Sequence, residues 1–115
     1  MPIEDFEGKT FVAFMDIVGF KKMMKESNKA WKVLHEFYNC GYKTLKWQNF
    51  ECQIDGIFVS DCGVLFARGR DSVCQLKALL NVVKEINKKM LERDVMLTLL
   101  PMENFVIRNV SSFLV

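Results

Sequence analysis

An α+β fold, an antiparallel sheet with helices packed on one face, is predicted by three patterns in these 115 residues. Two β-type runs, IFV and VLFA, flank the turn-like SDCG within residues 50–69, which is a hairpin signature. On either side of that hairpin, apolar residues recur at helical spacing. Two further apolar runs, TFVAFMD at 10–16 and VMLTLL at 95–100, lie outside the helical stretches. The order is strand, helices, strand, strand, helix, strand. This βααββαβ arrangement is ferredoxin-like, or palm-type.

Each element has its own justification. TFVAFMD is bulky and apolar with little polar alternation, so both faces of this first strand are expected to be covered. Gly19 marks a turn, and FKKMMKE after it reads as a short amphipathic helix. Ser27 or Asn28 is a suitable N-cap for a second helix. In that helix Trp31, Leu34, Tyr38, Tyr42 and Leu45 are expected to form the buried stripe. Asp71 or Ser72 starts the next helix, with Leu76, Leu79, Leu80, Val83, Ile86 and Met90 at its apolar positions. Basic KK and ERD segments suit its C-terminus. One domain over 1–115 is expected, with a core at about 10–100 and an irregular tail at 101–115 that shows no clean period.

Composition excludes several function classes. Half of the residues are hydrophobic and 26% are charged, a normal globular balance. A net charge of +2 makes no electrostatic case for nucleic acid or an anionic membrane. No run of about 18 apolar residues is present, so no spanning helix is expected. The acidic start MPIEDFEGK does not read as a secretory signal. The four cysteines, Cys40, Cys52, Cys62 and Cys74, form no C-x-x-C pair. They are expected to be reduced, mostly buried thiols of a cytoplasmic protein rather than zinc ligands. The single histidine, His35, falls in a helical stretch and reads as a surface or boundary residue. The methionines read as core filler, the Lys21-Lys22 and Lys88-Lys89 pairs as solvated helix faces, and Trp31 and Trp47 as packing or dimer residues.

The chemistry-bearing pattern is a pair of aspartates. Asp16 ends the first strand and Asp61 sits in the hairpin turn, and in this strand order the two ends can meet at one sheet edge. Adjacent carboxylates repel, and each resists ionising. A divalent cation resolves that conflict by taking both as hard oxygen ligands. It would also orient a nucleoside triphosphate and neutralise charge at the reacting phosphorus. The turn at Gly19, opening a helix, presents backbone N–H groups suited to phosphate. The plain alternative is that Asp16 is a helix cap and Asp61 a turn former.

DIVGF, Asp16 to Phe20, resembles the opening motif of the class III nucleotidyl cyclases. IFVSDCGVLFA, Ile57 to Ala67, resembles that family's hairpin motif, with Ser60-Asp61 at the tip where most members carry Gly-Asp. In style both look closest to the bacterial pyrimidine cyclases of anti-phage defence. The resemblance covers roughly residues 10 to 95. It implies that Asp16 and Asp61 bind two magnesium or manganese ions, with the Ile17 carbonyl as a further ligand. It implies that Val18, Gly19 and Phe20 present backbone groups to the triphosphate. The implied reaction is attack of the ribose 3′-hydroxyl on the α-phosphorus, giving a 3′,5′-cyclic nucleotide and pyrophosphate. A homodimer, with each site built across two chains, is implied as well. Two departures weigh against activity. Ile57, four residues before Asp61, stands where purine-reading members often have Lys or Glu. The acidic base-recognition residue and the Asn and Arg that stabilise the transition state are not found in the chain.

The tail has its own reading. In the frame that starts at the third base of the Thr98 codon, the degenerate codons of Thr98 to Ile107 contain a stretch that permits I-A-Y-G-K-F-R-Y. A small-apolar strand ending in glycine is what the resembled family has at this point. The expectation is a frameshift that replaced the C-terminal part, leaving a truncated core with exposed sheet surface and a tendency to self-associate.

Other readings stay open. A non-catalytic ferredoxin-like module would bind a ligand or partner without turnover. A single-stranded RNA binder needs aromatics on one sheet face and a basic surface. Phe11 and Phe14 fall on opposite faces of their strand, and the charge is nearly balanced. A diguanylate cyclase would carry a Gly-Gly-acidic hairpin in place of SDCG.

Overall fold

A computed structural model describes residues 8–26, 29–47, 52–68, 71–99 and 103–107. Its elements run β1 (Gly8–Ile17), α1 (Phe20–Met24), α2 (Lys29–Lys46), β2 (Ile54–Val59), β3 (Cys62–Ala67), α3 (Ser72–Leu91), β4 (Leu97–Leu99) and β5 (Glu103–Ile107). The strands form one antiparallel sheet in the order β2-β3-β1-β4, with β5 also paired to β1. The fold is α+β and ferredoxin-like, as the element order predicts. No helix among the described residues is long and apolar enough to cross a membrane.

Strand alternation divides β1 between two environments. Ala13, Met15 and Ile17 are buried on the helix side, in one core with Ile54, Phe58, Leu65 and Ala67 of the hairpin. From α2 that core receives Ala30, Val33, Phe37, Cys40 and Leu45, and from α3 Leu79, Val82, Val83, Ile86 and Met90. Burial of each large side chain here stabilises the fold by about 1.5–3 kcal/mol. On the other face Val12, Ile57 and Phe66 are buried as a second cluster, with Phe14 and Val64 packed against them.

The hairpin turn is tighter than SDCG suggests. Ser60 and Asp61 alone make it, and Cys62 and Gly63 already belong to β3. Ser60 has φ +54°, the sign that the first central residue of a two-residue hairpin turn requires. At α3 the choice between Asp71 and Ser72 falls to Asp71, whose carboxylate accepts the Val73 N–H at 3.1 Å. The α2 cap expected at Ser27 or Asn28 lies outside the described residues.

Three expectations are corrected. The α2 stripe is rotated: Ala30, Val33, Phe37, Cys40, Gly41, Thr44 and Leu45 are buried, while Trp31 is 77% exposed and Tyr42 42%. Small residues face the sheet because the sheet supplies the bulk. The Phe58 ring fills the notch above Gly41, where a Cβ would lie 2.2 Å from Phe58 Cζ. Phe37 and Tyr42 hold that ring edge-on at 5.1 and 5.0 Å between centroids. Trp47 is as exposed as Trp31, so neither tryptophan packs into this core. On α3, Leu80 faces solvent and Val82 takes the buried place. In the tail, residues 103–107 form β5 rather than irregular chain, pairing Gly8↔Ile107 through Val12↔Glu103. The pairing steps by one residue between β4, where Met15 faces Leu99, and β5. Residues 108–115 lie outside the described residues.

The notch yields a prediction. Gly41→Ala should lower stability by about 1–2 kcal/mol in urea unfolding, because displacing the wedged Phe58 ring outweighs alanine's better helix propensity. Trimming the ring with Phe58→Leu in the same chain should recover part of the loss. A Gly41→Ala chain as stable as the parent would show that nothing depends on the notch.

Candidate functional site

The site is built from the C-terminal end of β1 and the hairpin turn. Asp16 follows Thr10, Val12 and Phe14 on the face of β1 turned away from the helices, and its side chain is exposed. Its cross-strand neighbours are Cys62 of β3 and Thr98 of β4. One residue further, the Ile17 N–H donates to the Asp61 carbonyl oxygen at 3.0 Å. The turn is thereby fastened to the end of β1, and Asp61 stands beside Asp16.

The electrostatics record that closeness. The Asp16 carboxyl is raised above its ordinary value, first by burial and then by Asp61, acting both as a hydrogen-bond partner and as a like charge. The backbone at Ile17 opposes the shift. Burial raises the half-buried Cys62 thiol, and Asp16 and Asp61 push it further, so it stays protonated at neutral pH. A pair of carboxylates sharing one small region, with no ion-pair partner among the described residues, is the arrangement a cation relieves. Two carboxylates suit a hard divalent ion such as magnesium or manganese. Among the described residues no group of three or more His, Cys, Asp and Glu is gathered as a metal site. A cation here would complete its shell with backbone, water or phosphate oxygens.

The bend beyond β1 departs in part from its expected role. The Val18 N–H donates to the Met96 carbonyl at 3.0 Å, so it is committed to the approach to β4 and is not a phosphate donor. Gly19 has φ +73°, a conformation that favours glycine, and nothing lies within 4 Å of where its Cβ would be. Its carbonyl accepts the Met23 N–H at 3.1 Å. Phe20 buries its ring in the core and anchors the bend. The Gly19 and Phe20 N–H groups remain as the donors that open a helix. With five residues, α1 adds little dipole to them.

Ile57, four residues before Asp61, is 4% exposed within the cluster of Val12 and Phe66, and its side chain offers no hydrogen bond. The two described arginines are engaged elsewhere. Arg68 pairs with the buried Asp55, which also accepts from Gln53 Nε2 at 3.1 Å. Arg93 pairs with Glu36 at 2.6 Å and ties α3 to α2. Sequence reasoning missed one participant, Tyr38, whose hydroxyl donates to the Ser60 carbonyl at 2.8 Å. Its helical spacing marked it only as a stripe residue.

The raised carboxyl sets a pH dependence. Folded Asp16 holds its proton more tightly than the unfolded chain does, so the chain loses stability as pH rises from 3.8 through the raised value, and retains it below. Asp16→Asn should therefore be more stable than the parent at pH 7, by less than about 1 kcal/mol because water screens the exposed group. The two should converge near pH 3. Urea midpoints at both pH values check this; a difference that is the same at both would rule out the charge pair as its source.

No family model matches the chain, and no curated protein sequence matches it. Among solved structures, the adenylyl cyclase CyaB from P. aeruginosa is similar, with a TM-score of 0.57 at 17% identity. The alignment covers 92% of this chain and 68% of that one. An identity this low speaks to the fold alone: the chain shares its α+β fold with that cyclase.

Proposed function

We propose that the chain is a nucleotidyl-cyclase-type core of class III style, which binds a metal–nucleoside triphosphate at Asp16 and Asp61. The observation that carries the proposal is the convergence of these two carboxylates at one end of the sheet, on the face away from the helices. In a fold shared with an adenylyl cyclase, that placement supports a nucleotide site.

The roles follow from the residues. Asp16 and Asp61 hold the divalent ion or ions, with the Ile17 carbonyl as a further oxygen. When bound, such ions supply charge neutralisation at the α-phosphorus and lower the cost of freeing the ribose 3′-hydroxyl. Gly19 and Phe20 direct N–H groups to phosphate oxygens where the glycine leaves the approach open. Cys62, protonated and next to Asp16, adds no charge to the pair. Ring closure joins the 3′-oxygen to the α-phosphorus and releases pyrophosphate. In the class III reading a second copy of the chain completes each site.

A second reading is favoured by one specific observation. The Val18 N–H is spent on Met96, which reduces the phosphate cradle and suits a module that binds without turning over.

Two measurements separate the readings. Manganese at ten times its dissociation constant should raise stability by about 1.4 kcal/mol. Asp16→Asn and Asp61→Asn should each abolish that gain. Assay of the four nucleoside triphosphates with manganese should then give a cyclic product from one of them, lost in Asp16→Asn. Metal and nucleotide binding without product selects the non-catalytic module. No metal-dependent stabilisation in the parent chain overturns both forms of the proposal.

A further inference from the structure

We propose that Tyr38 is a positioning residue for Asp61, an external brace from α2 that fixes the Cα–Cβ direction from which its carboxylate extends at the hairpin tip. The inference rests on the reading of Asp61 as a cation ligand for its functional meaning, and on backbone geometry for its mechanism.

Asp61 lies between two planar peptide groups. The carbonyl on its N-terminal side, Ser60 C=O, accepts the Tyr38 hydroxyl at 2.8 Å. The carbonyl on its C-terminal side, Asp61 C=O, accepts the Ile17 N–H at 3.0 Å. Each peptide unit is rigid, so holding both planes fixes the two dihedrals at the Asp61 Cα and with them the Cα–Cβ direction. One hydrogen bond comes from the central strand and the other from a helix on the opposite face. Without the Tyr38 bond, the Ser60–Asp61 peptide plane is held only by closure of the turn through the Val59–Cys62 pair.

The tip needs such a hold because Ser60 has a positive φ, which L-residues adopt at a cost and leave readily. A turn with Gly at that position would carry no such cost. Tyr38 is well placed to supply the missing constraint. Its ring lies 6.2 Å from both Phe37 and Phe58, and Phe58 is itself wedged above Gly41. The hydroxyl is therefore held by packing that reaches into the core, and the strand carrying Phe58 leads directly into the turn. Tyr42 belongs to the same ring cluster and contacts Phe58 at 5.0 Å. It is the natural comparison for a purely packing role.

Tyr38→Phe keeps the ring and removes the bond. Amide hydrogen exchange on the metal-free protein reads whether the tip loosens. The Ile17 amide should exchange roughly three- to tenfold faster than in the parent, in line with loss of one neutral hydrogen bond. The Leu79 amide, inside α3, should keep the parent rate. Manganese affinity, titrated directly, should fall by a similar factor, while Tyr42→Phe leaves exchange and affinity at parent values. An Ile17 amide that exchanges at the parent rate in Tyr38→Phe overturns the brace, as does faster exchange shared equally by Leu79, which marks a global effect. Unchanged manganese affinity in Tyr38→Phe, with the parent binding the ion, overturns the positioning role alone. A parent chain that binds no manganese while Ile17 still responds removes the cyclase reading and leaves the brace standing.

Discussion

The register of β1 on β3 is the constraint on which the site depends. Val12 faces Phe66, Phe14 faces Val64 and Asp16 faces Cys62, and the series ends with the Ile17 N–H on the Asp61 carbonyl. Side chains alternate with period two, so a slip of one residue would turn Asp16 toward the helices and bring Ile17 out. Burial forbids the slip. Met15 and Ile17 are 1% and 3% exposed on the helix side, and Val12 is equally enclosed on the other. At the far end of the pairing Thr10 adds a polar lock. Its hydroxyl donates to the Ala67 carbonyl at 2.6 Å and accepts the Ala67 N–H at 3.2 Å. The residues that fix the position of the carboxylates are thus not themselves charged.

With the register set, the core can tolerate a local electrostatic penalty. Asp16 and Asp61 oppose each other, and the backbone at Ile17 eases the conflict in part. The nearest sulfur, at Cys62, is neutral and leaves the pair uncompensated. Elsewhere the chain treats charge differently. Asp55, 7% exposed, is matched by Arg68 and Gln53, and Glu36 by Arg93. Among the described residues, the buried Asp55 and the half-buried Glu36 each have an ion-pair partner, whereas Asp16 and Asp61 have each other as neighbours.

The element order and the aspartate pair were legible because both depend on local signals. A bulky apolar run marks β1, two β-type runs around a turn mark the hairpin, and that compact polar turn places Asp61 where a strand ends. The face of α2 was not legible. A stripe chosen by side-chain size selects Trp31 and Tyr42, whereas the buried side is set by Phe58, a residue of another element that needs Gly41 beneath it. The commitment of Val18 was hidden for a similar reason: its acceptor, Met96, lies far along the chain, and backbone carbonyls leave no mark in a sequence. Strand β5 has no clean hydrophobic period, and its pairing comes from continuing along an edge of β1 that β4 leaves open. Tyr38 has a legible ring, but its hydroxyl partner is again a backbone carbonyl.

These cases share one geometry, in which the helices hold one face of the sheet and the hairpin tip is reached from it. Phe58 points into the helices, and two residues on, Ser60 begins the turn. At roughly 3.3 Å per residue, the wedge and the tip are about 7 Å apart along the strand. A rigid strand over so short a span transmits a displacement almost undiminished. The Phe58 ring seated above Gly41 and the Tyr38 hydroxyl on the Ser60 carbonyl are two contacts from one helix to one strand and the turn it enters. A glycine on a helix, a phenylalanine on a strand and a tyrosine one turn earlier on the helix thus hold the hairpin to α2 at neighbouring points, next to the residue that carries the Asp61 carboxylate.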